Sequence, residues 1–313
     1  MQFGIQTIDG ASVAALTSDL FFNSKENNFI FNLDFSNAFN SVRRKAIFEV
    51  IQKHFPELSS YFYLFYGKPS ELVYDVFSLK SPSGVKQGDP LGPLLFCISI
   101  QESLIVINEK YPSLKIVGYT DDISLIGHFS FVQKASNKFA EQYEIIGLHL
   151  NPKKCLLIGN DFKKFKINNC KIPFTNYSQE AFRFLGCWLG NVDKITKNLN
   201  EIFAKLGNEL QLISELEIEK HIKFFILKIC YSGKITHLLR STAPSLSIDF
   251  CRSFNQLRAT FFASLLEVNP ELIRAQLFSS SQFGGGGKNF IFEFLDRFPE
   301  FAQSIIFKIF VLP

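Results

Sequence analysis

The sequence has few cysteines, little net charge and no uninterrupted apolar stretch long enough to cross a membrane. Its six cysteines are scattered, with no C-x-x-C pair and no histidine at zinc-ligand spacing. This pattern excludes a zinc knuckle and predicts buried thiols in a reducing compartment. The longest apolar stretch, Leu91–Ile107, is interrupted by Gln101 and Glu102, so we expect no membrane span. The net charge of +4 is mild, so any nucleic-acid-binding surface must be local.

Two adjacent carboxylates, Asp121 and Asp122, stand at the predicted turn between two short β-branched runs. A two-residue hairpin turn usually needs Asn-Gly or Asp-Gly, because its backbone takes positive φ. Like charges about 4 Å apart repel by about 1 kcal/mol in water and by about 4 kcal/mol at an effective dielectric of 20. The pair alone could be a solvated turn, but a bound divalent cation would offset this repulsion.

A third carboxylate, Asp34, ends the mostly apolar predicted strand Asn28–Phe35, and a helical pattern follows at residues 42–54. An acid at a strand end, beside the Asp121–Asp122 hairpin, makes an oxygen-rich site of the kind that Mg²⁺ prefers. Asp34 alone could equally be a strand-terminal turn residue. The three acids together favour a magnesium site.

The stretch between these acids, residues 81–96, is rich in glycine and proline and opens into an apolar helix pattern. Such an entrance lets another backbone approach closely and offers it free N–H groups. An ordinary loop and helix cap would show the same residues.

Five motifs, taken together, resemble the palm motifs of reverse transcriptases in family order and at family spacing. They are Leu33–Phe39, Ser83–Pro93, Tyr119–Asp122, Gly147–Lys154 and Phe184–Trp188. The resemblance covers about residues 1 to 190, and the first two motifs are most similar to the polymerases of non-LTR retrotransposons.

The resemblance implies an α+β fold, in which a palm of antiparallel sheet with packed helices precedes an all-helical, thumb-like region. The expected domains are a remnant of the fingers/palm junction at residues 1–30, the palm at 31–190 and the helical region at 191–313. Only 33 residues precede Asp34, whereas reverse transcriptases have a whole fingers region there. We therefore expect a piece of a larger polyprotein that lacks most of the fingers, or a decayed copy.

The resemblance also assigns catalytic and metal-binding roles. Asp34 and Asp121 would bridge two Mg²⁺ ions, with Mn²⁺ as an alternative ion, and Asp122 would be a supporting acid. The carbonyl of Phe35 would also contact metal. Lys154 matches the lysine proposed to protonate the leaving pyrophosphate.

The resemblance further implies that Phe39 is the steric gate against a ribose 2′-hydroxyl, and that Gln87 and Gly88 lie along the incoming nucleotide and template. Phe39 and Trp188 could equally be core residues. The residues expected at the template and primer are Gly84, Pro90, Tyr119, Leu185, Gly186, Cys187 and Trp188.

The function implied is RNA-directed DNA polymerase activity, with an RNA template, a DNA primer or target, and deoxynucleoside triphosphates as partners. The remainder of a retroelement polyprotein is a further expected partner, and the expected location is intracellular, in the nucleus. The alternative is a catalytically inactive fragment or RNA-binding scaffold. The missing fingers favour that alternative, whereas a scaffold needs no cluster of mutually repelling acids.

Overall fold

The structure, a computed structural model, describes residues 3, 4, 7, 9–24, 28–160, 165–167, 170–231, 238, 242 and 244–270. The chain divides into two compact units, Met1–Glu180 and Ala181–Pro313. The part of the predicted helical region (191–313) that comes after residue 270 lies outside the described residues. Within the described ranges, no helix has both the length and the apolar character needed to cross a membrane.

The described part of the first unit mixes helices and strands. Its helices are α1 (Gly10–Asn23), α2 (Ala38–Ser41), α3 (Arg44–His54), α4 (Ser59–Tyr66), α5 (Gly92–Lys110) and α6 (Phe129–Ile145), with a 3-10 turn at Pro56–Leu58. Its strands are β1 (Asn28–Leu33), β2 (Ser70–Tyr74), β3 (Phe77–Ser81), β4 (Lys115–Tyr119), β5 (Asp122–His128), β6 (Leu156–Gly159), β7 (Lys166–Ile167), β8 (Cys170–Lys171) and β9 (Phe174–Asn176).

A five-stranded sheet in the order β4-β5-β1-β6-β9 forms the centre of this unit. Neighbouring strands are antiparallel except β6 and β9, which are parallel. A parallel pair needs a long connection, and residues 160–173 supply one between these two strands. The predicted α+β class is confirmed, and the sheet adds one parallel pair to the antiparallel arrangement expected.

Strand β1 is central, and its apolar residues are buried on both faces of the sheet. Helix α1 packs on β1, β4 and β5, while α6 packs on β1 and β5. Phe31 and Leu33 belong to one large cluster with Phe96 of α5 and Phe139 of α6, and Ile30, which points to the other face, is also buried. Burial on both faces explains why this strand reads as a nearly continuous apolar run.

The described part of the second unit is a hairpin followed by helices. Its elements are β10 (Ala181–Phe184), β11 (Cys187–Gly190), α7 (Val192–Glu215), α8 (Lys220–Phe225), a π-helical segment at Ile226–Tyr231, and α9 (Pro244–Leu266). Ile195, Leu199, Leu206 and Leu210 recur at helical spacing along α7 and are buried in a cluster shared with α9. The amphipathic helix predicted after residue 191 is therefore present.

Candidate active site

The sheet register brings three acids to one edge. Strand β1 ends at Leu33, which pairs with Ile123 of β5 and is preceded by the pair between Asn32 and Leu156 of β6. Carried past Leu33, the β1–β5 register sets Asp34 opposite Asp122. On the other side Asp34 lies beside the turn that carries Lys154, whose charge acts on the Asp34 carboxyl. The sequence contains these residues but does not show that they come together, because the position of β1 between β5 and β6 is a feature of the tertiary structure.

The β4–β5 turn differs by one residue from the sequence expectation. Tyr119 pairs with Asp122, so the two loop residues are Thr120 and Asp121, whereas the sequence suggested Asp121 and Asp122. Thr120 takes the positive φ, 53°, which is strained for a β-branched residue. Its hydroxyl lies 2.7 Å from Tyr119 O and 3.1 Å from Asp121 Oδ1, and its single proton is shared between these two acceptors. These bonds offset part of the strain and orient the Asp121 carboxylate.

The three carboxylates influence one another electrostatically. Burial raises the pKa of Asp34, Asp121 raises it further, and Lys154 opposes both effects. Desolvation, followed by the charges of Asp121 and Asp34, raises the pKa of Asp122 to about 6. Asp122 also keeps contact with solvent. A cluster that disfavours its own negative charge is one that a cation would stabilise.

Two of these carboxylates have the donor chemistry that Mg²⁺ prefers. Asp34 Oδ1 is buried and has no hydrogen-bond partner in the described part of the chain. Across the same residues, no group of three or more His, Cys, Asp and Glu side chains is arranged to hold a metal ion. Magnesium keeps several waters and takes one or two protein carboxylates plus substrate phosphates. Asp34 and Asp121 therefore meet its requirement without a closed protein cage.

The backbone around Asp34 is held by the turn that carries Lys154. Asn151 N donates to Asp34 O at 2.8 Å, and Cys155 N donates to Asn151 O at 3.0 Å. Asp34 N donates to the Cys155 thiol sulfur at 3.3 Å. Phe35 is buried, and its ring meets Tyr143 edge-on at 5.1 Å. The predicted metal-contacting backbone at Phe35 is thus fixed by packing.

The glycine-rich loop lies against α2, which carries Phe39. Gly84 N donates to Val42 O and Val85 N donates to Phe39 O, each at 2.8 Å. Phe39 is half-buried and stacks on Phe96, with ring centroids 4.6 Å apart. Gly84 has a φ of 74°, and a Cβ there would lie 2.5 Å from the Asn40 backbone. The loop therefore requires glycine at this position for both backbone conformation and space.

We expect Gly84→Ala to lower the free energy of unfolding by at least about 2 kcal/mol, because it combines a positive φ with a backbone clash. Gly207, in α7, has an open Cβ position and no positive φ, so Gly207→Ala should raise stability by about 1 kcal/mol. Calorimetric unfolding of both variants would check this. A Gly84→Ala protein as stable as the wild type would show that the loop does not need this contact.

The tip of the glycine-rich loop is open to solvent. Gln87, Gly88 and Pro90 are exposed, and no atom lies within 4 Å of a Cβ built on Gly88. The structure places these residues on the first unit with Gly84, and it buries Gly84 at the base of the loop. The loop is anchored at Gly84 and accessible at Gly88.

Two tyrosines of α4 anchor the other side of this loop, and sequence analysis missed them. The Tyr66 hydroxyl donates to Asp89 Oδ2, and the Tyr61 hydroxyl donates to Asp89 Oδ1 at 3.0 Å. Leu91 N donates to Asp89 Oδ1 at 2.9 Å, and Lys86 N donates to the Tyr66 oxygen at 3.2 Å. In the sequence these tyrosines stand in an aromatic run, and no local pattern links them to Asp89.

A buried arginine completes the anchor. Arg44 is 8% exposed, and its Nε donates to Gly84 O at 3.0 Å while its Nη1 donates to Lys68 O at 3.2 Å. Its guanidinium lies 5.3 Å from the centre of the Tyr66 ring. A buried guanidinium needs hydrogen-bond partners of this kind, so Arg44 ties α3 to Lys68 and Gly84, the residues on either side of the β2–β3 hairpin.

We expect Tyr66→Phe to lower the free energy of unfolding by about 1.5–3 kcal/mol, the usual cost of losing a hydrogen bond to a charged group. Burial raises the pKa of Asp89, but hydrogen bonds from Tyr66, Leu91 and Tyr61 outweigh it and lower that pKa on balance. The stabilisation is therefore fully present above the ordinary pKa of an aspartate and is lost as the pH falls through the lowered pKa of Asp89 in the folded protein.

Urea denaturation at pH 7 and at about pH 2, well below the ordinary aspartate pKa, would check this, with Tyr63→Phe as the matched control. Tyr63 stands on the same helix and is 70% exposed, so its hydroxyl should contribute little. An equal loss in Tyr66→Phe at both pH values would contradict a role for the ionised Asp89.

The second unit contains the hairpin predicted at Leu185–Trp188. Leu185 and Gly186 form its turn with φ values of 47° and 85°, a combination typical of a tight two-residue turn. Cys187 is buried, and Trp188 is half-buried against the cluster formed by α7 and α9. Tyr119, in the first unit, is half-buried at the end of β4.

Comparison with known proteins identifies a family for this chain. The family model for reverse transcriptase (RNA-dependent DNA polymerase) matches residues 1–189. A Pol polyprotein from the type-2 retrotransposable element R2DM of Drosophila melanogaster is 23% identical over 91% of this chain and 29% of its own length. A Pol polyprotein from the type-1 retrotransposable element R2 of Nasonia vitripennis is 25% identical over 67% of this chain and 22% of its own length.

A retrotransposable element SLACS protein from Trypanosoma brucei gambiense is 30% identical over 39% of this chain and 11% of its own length. The chain thus spans less than a third of the length of the curated relatives it matches. A solved Candida albicans telomerase aligns with a TM-score of 0.38 at 10% identity, covering 97% of this chain and 52% of that one, a score too low to support an argument. The family model covers more than half of the chain, so this chain belongs to the reverse transcriptase (RNA-dependent DNA polymerase) family, of the non-LTR retrotransposon type.

Proposed function

We propose that this chain is the polymerase core of a retroelement reverse transcriptase, which adds deoxynucleotides to a primer 3′-hydroxyl on an RNA template. One observation supports this most directly: the sheet edge gathers Asp34, Asp121 and Asp122 with Lys154, the residues that the family resemblance predicts as catalytic. A purely structural role does not account for three mutually repelling acids at one edge.

Asp34 and Asp121 are the residues proposed to hold two Mg²⁺ ions, with the Phe35 carbonyl as a further ligand and Asp122 as a supporting acid. Bound there, the ions would acidify the primer hydroxyl and neutralise triphosphate charge. The chain itself orients Asp121 through the Thr120 hydroxyl and holds Asp34 through the turn at Asn151.

Lys154 is exposed beside Asp34, where its ammonium can donate a proton to the leaving pyrophosphate. Phe39 would lie under the sugar and exclude a 2′-hydroxyl, because its ring is supported from behind by Phe96. Gln87 and Gly88 would contact the incoming nucleotide and template from the open tip of the glycine-rich loop.

We also propose that Gly84, Pro90, Tyr119 and the Leu185–Trp188 hairpin contact the template and primer, and that the chain works in the nucleus with other parts of a retroelement polyprotein. The long polyproteins of the relatives support the last point. Imaging a tagged chain in cells would test the location.

The decisive experiment measures Mg²⁺-dependent incorporation of deoxynucleotides by the purified chain on an RNA template with an annealed DNA primer. Incorporation supports the proposal. A second arm tests a longer form of the chain, extended by the upstream sequence wherever the genomic reading frame is open. A folded chain that binds the primer-template but incorporates nothing in either form would favour the RNA-binding scaffold instead.

A further inference from the structure

The backbone N–H of Asp34 lies beyond the end of the sheet ladder. The last pairs of β1 are Leu33 with Ile123 on one side and Asn32 with Leu156 on the other. A buried backbone donor needs a partner, and here the partner is a side chain. Asp34 N donates to Cys155 Sγ at 3.3 Å, a usual length for a bond to sulfur.

The same thiol also reaches the carbonyl of Asp34. Cys155 Sγ donates to Asp34 O at 3.6 Å, and the same carbonyl accepts from Asn151 N at 2.8 Å. Cys155 is fully buried, whereas Asp34 is half-buried. One side chain therefore contacts both polar groups of the Asp34 backbone, and its immediate neighbour in the chain is Lys154.

We propose that Cys155 is a positioning residue, whose thiol holds the Asp34 backbone where the β ladder ends and so fixes the Asp34 carboxylate relative to Lys154. The carboxylate depends on this backbone, because Asp34 Oδ1 makes no hydrogen bond within the described residues. The thiol takes no part in the reaction and contacts no substrate.

Three variants separate hydrogen bonding from packing. Cys155→Val fills the space but removes the acceptor and the donor, whereas Cys155→Ser keeps both. The matched control is Cys251→Val, which replaces another buried cysteine, on α9 of the second unit. If the loss of any buried thiol were enough to cause the effect, Cys155→Val and Cys251→Val would show it equally.

The first readout is hydrogen–deuterium exchange of the peptide that contains Asp34, measured without metal or substrate. Losing one hydrogen bond of about 1 kcal/mol should speed exchange at Asp34 by about fivefold to tenfold in Cys155→Val. Cys155→Ser and Cys251→Val should stay near the wild-type rate. Unchanged exchange in Cys155→Val would overturn the proposal.

The second readout is primer extension, which rests on the proposed function. Cys155→Val should lower kcat by about tenfold, with KM for the primer-template within about twofold, because misplacement by a fraction of an ångström affects chemistry more than binding. Cys155→Ser should recover most of kcat, and an equal loss in both variants would assign the effect to packing and contradict the proposal. If the wild type incorporates nothing, the proposed function fails, and the exchange measurement still decides the role of Cys155.

Discussion

Replacing Asp121 with asparagine should reduce deoxynucleotide incorporation by about 10²–10³-fold, the range seen when one preorganised electrostatic group is removed from an active site. The amide keeps the shape of the side chain, and its oxygen can still accept the bond from Thr120. What it loses is the negative charge that a divalent cation requires. Single-nucleotide extension, followed over a range of Mg²⁺ concentrations, would measure the loss.

The same variant should be at least as stable as the wild type. Asp121 acts through its charge on Asp34 and on Asp122, raising the pKa of each, so neutralising it relieves repulsion in the folded state. Many active sites show this exchange of stability for activity. Thermal unfolding and primer-template binding, both measured without metal, should be unchanged or slightly improved.

Asp75→Asn is the matched control for Asp121→Asn. Asp75 is exposed in the β2–β3 turn with a φ of 51°, a conformation that asparagine adopts readily. It should keep full activity. If Asp121→Asn extended primers at a rate within about tenfold of Asp75→Asn, the electrostatic assignment would be wrong by that measure.

The local sequence was enough to predict the strands and acids of this site. The apolar run before Asp34 predicts β1, because a strand buried on both faces needs apolar residues throughout. The run before Tyr119 and the run after Asp122 likewise predict the hairpin. The predicted position of the turn is wrong by one residue, because Thr120 is an unfavourable residue for positive φ. The hydroxyl contacts that compensate for this are evident only in the three-dimensional structure.

The supporting contacts could not be predicted from the sequence. Tyr66 and Asp89 are separated by 23 positions, and neither has a local pattern that marks it as a partner of the other. Cys155 reads as one of six scattered thiols until the ladder between β1 and β6 sets it beside Asp34. Such contacts depend on tertiary packing, for which a single sequence carries no periodic signal.

Replacing Phe39 with valine should raise the use of ribonucleotides relative to deoxynucleotides by about 10–200-fold, the range over which a pocket discriminates by one small group. The Phe39 ring stacks on Phe96 at 4.6 Å with an interplanar angle of 25°. Because Phe96 is fully buried, the ring cannot move back to make room for a hydroxyl. Valine would open that space and leave the carboxylates in place.

The change also removes packing, which must be separated from specificity. Phe48→Val is the matched control, because Phe48 is half-buried and stacks on the buried Phe62 at 5.8 Å with an interplanar angle of 19°. Each variant should lose about 1–3 kcal/mol of stability through the missing ring atoms. Only Phe39→Val should alter the ratio of kcat/KM for a ribonucleotide to that for the matching deoxynucleotide. If Phe48→Val shifted the ratio equally, general loosening would explain it, and Phe39 would be a core residue.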